Sequence, residues 1–215
     1  MSSLTNGRVA FSEDSGLAAM DAAKRVFDLL FAPVILLICL PIFIVVAGLI
    51  RMGSDGPVFF LQKRSGRNGR RFRMYKFRTM ERRPGWFQKT LASDTDGPMF
   101  KKKDDPRVTP IGKVLRRLSL DEIPQLINVL KGDMSLVGPR PLAWKEMAGH
   151  EQWRNVRLSV RPGLTGLWQV KGRGTGRFED WVKYDMEYVA NWSLAMDIKI
   201  LFMTAQAVIN KRGAH

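Results

Sequence analysis

Between Leu29 and Ile50 the sequence reads LLFAPVILLICLPIFIVVAGLI, 22 consecutive residues without a charged side chain. That is long enough to cross the hydrocarbon of a bilayer, and no other feature limits the fold as strongly. The segment does not read as a signal peptide, because it starts late and no small-residue cleavage site follows it. Pro33 and Pro41 lie inside it, and interior prolines break or kink a helix. Lys24 and Arg25 precede it, Arg51 follows it, and the basic run QKRSGRNGRRFRMYKFR comes soon after at residues 62–78. Positive charge on both flanks gives no inside–outside asymmetry. A spanning helix and a kinked helix that returns to its side of origin both satisfy the pattern, whereas a buried core helix ranks well below them.

Charge and residue usage narrow the chemistry. Lys and Arg number 35 against 20 Asp and Glu, a formal net charge of +15. Such a balance points to a polyanion: nucleic acid, an anionic membrane surface or a phosphorylated substrate. A single cysteine, Cys39, excludes an intrachain disulfide and a cysteine metal cluster. With two histidines, His150 and His215, neither a His-based zinc site nor a Ser-His-Asp triad is expected. A metal, if used, would have oxygen ligands, which favours magnesium.

Residues 1–20 are small and polar and read as a leader, residues 21–51 as the membrane element with Asp21 as its N-cap, and residues 52–215 as the catalytic part. Residues 57–80 read as two short strands around a glycine-rich turn, and residues 81–106 as a loop. Helix is expected over 111–131 with a break near Ser119, over 141–158, and in two final segments near 178–190 and 195–211. The five glycines of 161–177 imply turns around a short strand. The fold class is mixed α/β, mainly helical, with a small β element.

The chemistry concentrates in LRRLSLDEIPQLINVLKGDMSLVGPRP, residues 115–141. Ile123, Leu126, Ile127 and Leu130 recur at helical spacing, and Gly132 stands where a C-terminal cap belongs. Pro124 fits only a first turn, so the helix is expected to begin close to Asp121, although Ser119 to Glu122 also matches a capping box. Either start puts Asp121 and Glu122 where the helix N-terminus favours carboxylates and phosphates. Acids in a first turn are usually just good capping residues. Here Arg116, Arg117 and Arg140 lie nearby and could grip a pyrophosphate.

The run DPRVTPIGKVLRRLSLDEIPQLINVLKGDMSLVGPRP resembles the signature of the bacterial sugar transferases, the monotopic phosphoglycosyl transferases acting on polyprenyl phosphate. KRVFDLLFAPVILLICLP, YKFRTM, RPGLTGLWQVKGR and YVANWSLAMDIKILFMT extend the resemblance over about residues 22–209. It implies transfer of a sugar-1-phosphate from a UDP-sugar to undecaprenyl phosphate with release of UMP. Asp121 would be the nucleophile, Glu122 the Mg²⁺-linked acid, and Arg140 a phosphate contact. Arg116 and Lys76 match further basic motif positions, and Asp185 in YDMEYV the polar rim. The resemblance implies a re-entrant membrane helix broken at Pro41, with Pro33 sharing the work; many members carry Ser where this chain has Leu40. Many larger members add an N-terminal four-helix membrane domain, and this sequence matches the short catalytic form. The expected location is the bacterial inner membrane, with the site on its cytoplasmic face. The GLWQV version of the C-terminal motif resembles exopolysaccharide members, which use hexoses.

Other signals are weaker. The ten Lys or Arg between Lys63 and Arg83 suit anionic headgroups, worth on the order of 1 kcal/mol each when well placed. Interleaved Phe72, Tyr75 and Phe77 would also suit single-stranded nucleic acid, but the membrane segment favours lipid. Arg161 and Arg173, around the glycine-rich stretch, are placed to meet a nucleotide. The expected partners are therefore a UDP-sugar, undecaprenyl phosphate and anionic lipids, without nucleic acid, and with a homodimer as the oligomer to test. The competing class is a membrane-anchored basic scaffold or nucleic-acid-binding module without catalysis.

Overall fold

The computed structural model describes residues 15–81, 102, 104–172 and 177–209. The first helix, α1 (Ser15–Gly53), continues through Pro33 and Pro41 without interruption. It begins earlier than expected, so Asp21 lies inside it and caps nothing; the alanine-rich GLAAMDAA favours helix there. Over Ala19–Gly53 it is long and apolar enough to cross a membrane, and only 11% of its most apolar window is buried in the protein. A core helix would be mostly covered.

One stripe of α1 is covered from Asp21 to Ile50. Lys24, Asp28, Ala32, Val46 and Ile50 are buried, and Ile35, Leu36, Phe43 and Ala47 pack partly against the core. The spacing is helical, and its first turns are charged. Arg25 donates to the carbonyls of Val129 and Leu130 at 2.6 and 2.8 Å. Asp28 accepts from Ser135 Oγ and the Leu136 N–H, each at 2.9 Å. Lys24 pairs with the fully buried Asp197. Pro33 and Pro41 are exposed on the other side of the helix, where a proline kink favours a bend convex outwards.

Strands β1 (Phe59–Ser65) and β2 (Arg71–Phe77) form the expected hairpin, with Phe59 opposite Phe77 and Ser65 opposite Arg71. Asn68 and Gly69 take positive φ in its turn. Helix α2 (Pro110–Arg117) is capped by Thr109, whose hydroxyl accepts from the Gly112 N–H at 3.0 Å. The chain breaks at Ser119 (φ 55°), passes through a 3-10 turn over Leu120–Glu122, and enters α3 (Gln125–Lys131). The helix thus starts later than expected, with Pro124 immediately before it. The capping box does not form, because a left-handed Ser119 makes no side-chain cap. Gly132 ends α3 at φ 83°, as a C-cap should.

Strand β3 (Ser135–Val137) pairs in parallel with β4 (Gly163–Thr165), the short strand expected in the glycine-rich stretch. These glycines admit a neighbouring chain: a Cβ on Gly163 would lie 2.0 Å from the Gly138 nitrogen. Residues 141–158 are not one helix but a 3-10 turn (Trp144–Met147) and α4 (Glu151–Leu158), divided at Gly149 with φ 79°. Helices α5 (Leu167–Lys171), α6 (Phe178–Ala190) and α7 (Leu194–Ile209) follow. The central core joins Ala32, Met74, Leu126, Val129, Leu136, Tyr188 and Ile200; a second gathers Val46, Ile50, Phe77 and Leu115 under the far half of α1. A third holds Leu142, Met147, Trp153 and Trp181. Most of the loop read at 81–106, and most of the polar leader, lie outside the described residues.

Candidate active site

The 3-10 turn before α3 presents Asp121 and Glu122 to the end of β2. Lys76 Nζ lies 2.8 Å from Glu122 Oε1 and 4.0 Å from Asp121 Oδ2. Arg140, carried by the turn after β3, reaches the same Glu122 oxygen at 3.2 Å. Arg116, in the last turn of α2, donates through Nε to Thr79 Oγ1 at 2.9 Å and contributes its charge to Asp121. Five residues from four separate stretches of sequence therefore meet here: Lys76, Arg116, Asp121, Glu122 and Arg140.

The two acids are not equivalent. Glu122 is gripped by two cations, whereas Asp121 is 8% exposed and stands at the margin of the Lys76 charge. Burial raises the Asp121 carboxyl above its ordinary range, Lys76 pulls it back, and neighbouring Glu122 pushes it up again. The Glu122 charge in turn helps hold the Arg140 proton more tightly than usual. A buried, under-paired carboxylate is the more basic oxygen nucleophile of the two.

Asp185 does not sit on a rim. It is 2% exposed, ion-paired with Arg157 Nε at 3.3 Å, and accepts from the Trp153 indole N–H at 3.1 Å. Burial pushes its carboxyl up to about 6 against the pull of Arg157 and Trp153. Arg157 lies over the Trp153 ring (4.4 Å) and donates to the Arg140 carbonyl. Asp185 thus supports the Gly-Pro-Arg-Pro turn from behind. Arg157 and Thr79 were not singled out from sequence. Trp153 and Arg157 are one helical turn apart, a spacing that could have flagged the pair.

Arg161 is not part of this cluster. It pairs with Asp21 of α1 at 2.6 Å, and Asp21 also receives Arg67 from the hairpin turn at 2.9 Å. Arg173 lies outside the described residues. No group of three or more Asp, Glu, His or Cys among the described residues could cage a metal. A single carboxylate such as Glu122 is of the kind through which Mg²⁺ would bind, since that ion takes one or two carboxylates plus substrate phosphates and keeps several waters.

Beside the acids runs a groove of about 230 Å³ between α1 and α7. Its walls include Ile35 and Cys39 of α1, Leu201 and Ala207 of α7, and Leu126 from beneath, and Glu122 lines it as well. An acid pair set among cations, one member lining an apolar groove beside an outward-facing apolar helix, is equipment for phosphate chemistry at a bilayer surface.

The chain belongs to the bacterial sugar transferase family, whose model matches residues 19–211. It is 42% identical over 199 residues to the exopolysaccharide production protein ExoY of Sinorhizobium fredii, covering 90% of this chain and 88% of that one. It is 46% identical over 195 residues to the galactosyl transferase CpsE of Streptococcus agalactiae, covering 89% of this chain and 43% of that one. It is 42% identical over 198 residues to the undecaprenyl-phosphate galactose phosphotransferase of Salmonella typhimurium, covering 89% of this chain and 41% of that one. The chain therefore spans most of the first relative and less than half of the other two. The enzyme class expected from the sequence agrees with these names, and a non-catalytic scaffold is not favoured.

Proposed function

We propose that the protein transfers a hexose-1-phosphate from a UDP-sugar to undecaprenyl phosphate, releasing UMP, as a membrane step of exopolysaccharide synthesis. The observation that carries this reading is the buried Asp121, under-paired beside a Glu122 that is held by Lys76 and Arg140 and lines an apolar groove. Galactose and glucose are the sugars in the relatives' names.

In the first half-reaction an Asp121 carboxylate oxygen attacks the β-phosphorus. The bond to the bridging oxygen breaks, and UMP leaves with that oxygen and its electron pair. Lys76, Arg116 and Arg140 offset the charge that gathers on the phosphate oxygens. Glu122 would hold Mg²⁺ together with the diphosphate oxygens, and the bound ion would neutralise charge on the leaving group. In the second half-reaction an oxygen of undecaprenyl phosphate attacks the same phosphorus and Asp121 departs as a carboxylate. One phosphoanhydride is lost and another gained, so the transfer is close to balanced and later consumption drives it.

The same reading puts α1 in the cytoplasmic leaflet of the bacterial inner membrane as a re-entrant helix. At 1.5 Å per residue its 39 residues extend about 58 Å. A spanning helix that long would carry one end away from the catalytic body. Here Arg25, ten residues from the start, is bonded to α3, and Ile50 near the end is held by Arg78, which also donates to the Ser54 carbonyl at 2.8 Å, so both halves of the helix are tied to the catalytic body.

Membranes carrying the protein, given Mg²⁺, undecaprenyl phosphate and a panel of UDP-sugars, should release UMP with one hexose donor, and Asp121→Asn should lower that rate at least about 1000-fold. Labelled UMP should also exchange into the UDP-sugar without acceptor, the signature of a covalent intermediate. Release of UDP instead would mean glycosyl transfer and would overturn the reading.

A further inference from the structure

The groove between α1 and α7 has no occupant in the chemistry above. We propose that it seats the first isoprene units of the acceptor lipid and that Arg117 at its edge receives the acceptor's phosphate, an inference that rests on the function just proposed. Its walls are mostly apolar, and two of them belong to helices whose other residues face outwards: Ile38 is 70% exposed on α1, and Phe202 70% on α7. A chain leaving the bilayer along these helices enters the groove without crossing water.

The polar groups of the groove are few. Thr165 and Thr204 bond each other at 2.7 Å, and Thr204 also donates to the Ile200 carbonyl at 2.7 Å, so both hydroxyls are satisfied. The Gln169 amide is buried and unpartnered on both its oxygen and its nitrogen among the described residues, a state that costs free energy unless a ligand answers it. Glu122 belongs both to the groove and to the cation cluster, so a phosphate drawn up beside it meets the phosphorus held by Asp121. Arg117 lines the groove, is exposed, and has no ion-pair partner among the described residues. It supplies the positive charge that a phosphate requires.

Size agrees with this occupant. A cavity of roughly 150 Å³ takes a benzene molecule, so the 230 Å³ here holds roughly nine carbons, about two isoprene units. A nucleotide sugar would strand its hydroxyls against Leu126, Leu201 and Ala207 without partners, which disfavours it.

The test uses full-length protein in nanodiscs and separates the two half-reactions. UMP exchange without acceptor reports the donor half; turnover with C55 and with C10 polyprenyl phosphates reports the acceptor half. Ala207→Trp, which fills the groove, should leave exchange within twofold and raise the acceptor KM at least tenfold for both chain lengths. Arg117→Glu should raise the acceptor KM by at least fivefold, and by more than it changes the rate of exchange. Unchanged acceptor kinetics in both variants would overturn the proposal and leave the groove to a phospholipid chain. If Ala207→Trp loses exchange as well, Arg117→Glu decides alone, in the same sense. Absence of exchange in the unmodified protein would instead defeat the covalent reaction, a result distinguishable from failure of the groove.

Discussion

At the scale of single residues the site works through inequality between neighbours. Asp121 and Glu122 are adjacent, yet Lys76 and Arg140 both commit to Glu122. The raised Asp121 carboxyl must ionise to attack, so the donor half-reaction should rise with pH through that elevated value. Two substitutions move this acid limb in opposite directions. Lys76→Met removes a charge that lowers the Asp121 pKa and should shift the limb upwards, on the order of one pH unit. Glu122→Gln removes a like charge and should shift it downwards, with a loss of rate if Glu122 holds magnesium as proposed. The measurement is UMP exchange from pH 4 to 8, and a limb unmoved by either change would mean that another group titrates. The acid pair and its three cations were legible in the sequence because they lie in dense motifs. The Asp185–Arg157 support was not, since 28 residues separate partners that meet only in the fold.

At the scale of elements, α1 behaves as a docked strut. Asp21, Lys24, Arg25 and Asp28 fall at i, i+3, i+4 and i+7, so the start of an apolar helix carries a charged face that is spent inside the protein. Lys24 and Asp197 meet in full burial, and Asp197 also accepts from the Tyr188 hydroxyl at 2.9 Å and the Trp192 indole at 3.2 Å. Lys24→Met leaves a buried carboxylate without its cation and should cost about 3–5 kcal/mol. Adding Asp197→Leu should recover part of that loss, as read by thermal unfolding in detergent. A double variant that loses as much as the Lys24→Met and Asp197→Leu single variants added together would mean the pair is not coupled. The sequence read Lys24 and Arg25 as flanks of a membrane segment and Asp21 as its N-cap, since flanking and docking look alike until a partner is known. It likewise missed β3, whose three residues are too few for a period. Asn128 escaped notice because a polar residue on an apolar helix reads as exposed. It is fully buried, taking the Tyr75 N–H at 2.9 Å and giving to the Arg73 carbonyl at 2.8 Å, and so covers the free edge of β2.

At the scale of the whole molecule, the two cores under α1 are completed by it, one by Ala32 and the other by Val46 and Ile50. A chain trimmed to residues 54–215 would expose both cores and leave Asp197 without its lysine. It should be insoluble or protease-labile rather than a free catalytic domain; limited proteolysis beside the intact protein checks this, and a trimmed chain of equal resistance would refute it. The docked face of α1 also bears on how the protein is made. Lys24 leaves the ribosome 173 residues before Asp197, the acid it will pair with. Asp21, Arg25 and Asp28 meet partners made earlier, at Arg67, Val129 and Ser135, but Lys24 must wait for Asp197, and at a synthesis rate of about 5–20 residues per second the wait lasts roughly ten seconds or more. During that interval something must shelter the nascent helix, the bilayer surface or a chaperone, and the last helix to emerge releases it into place.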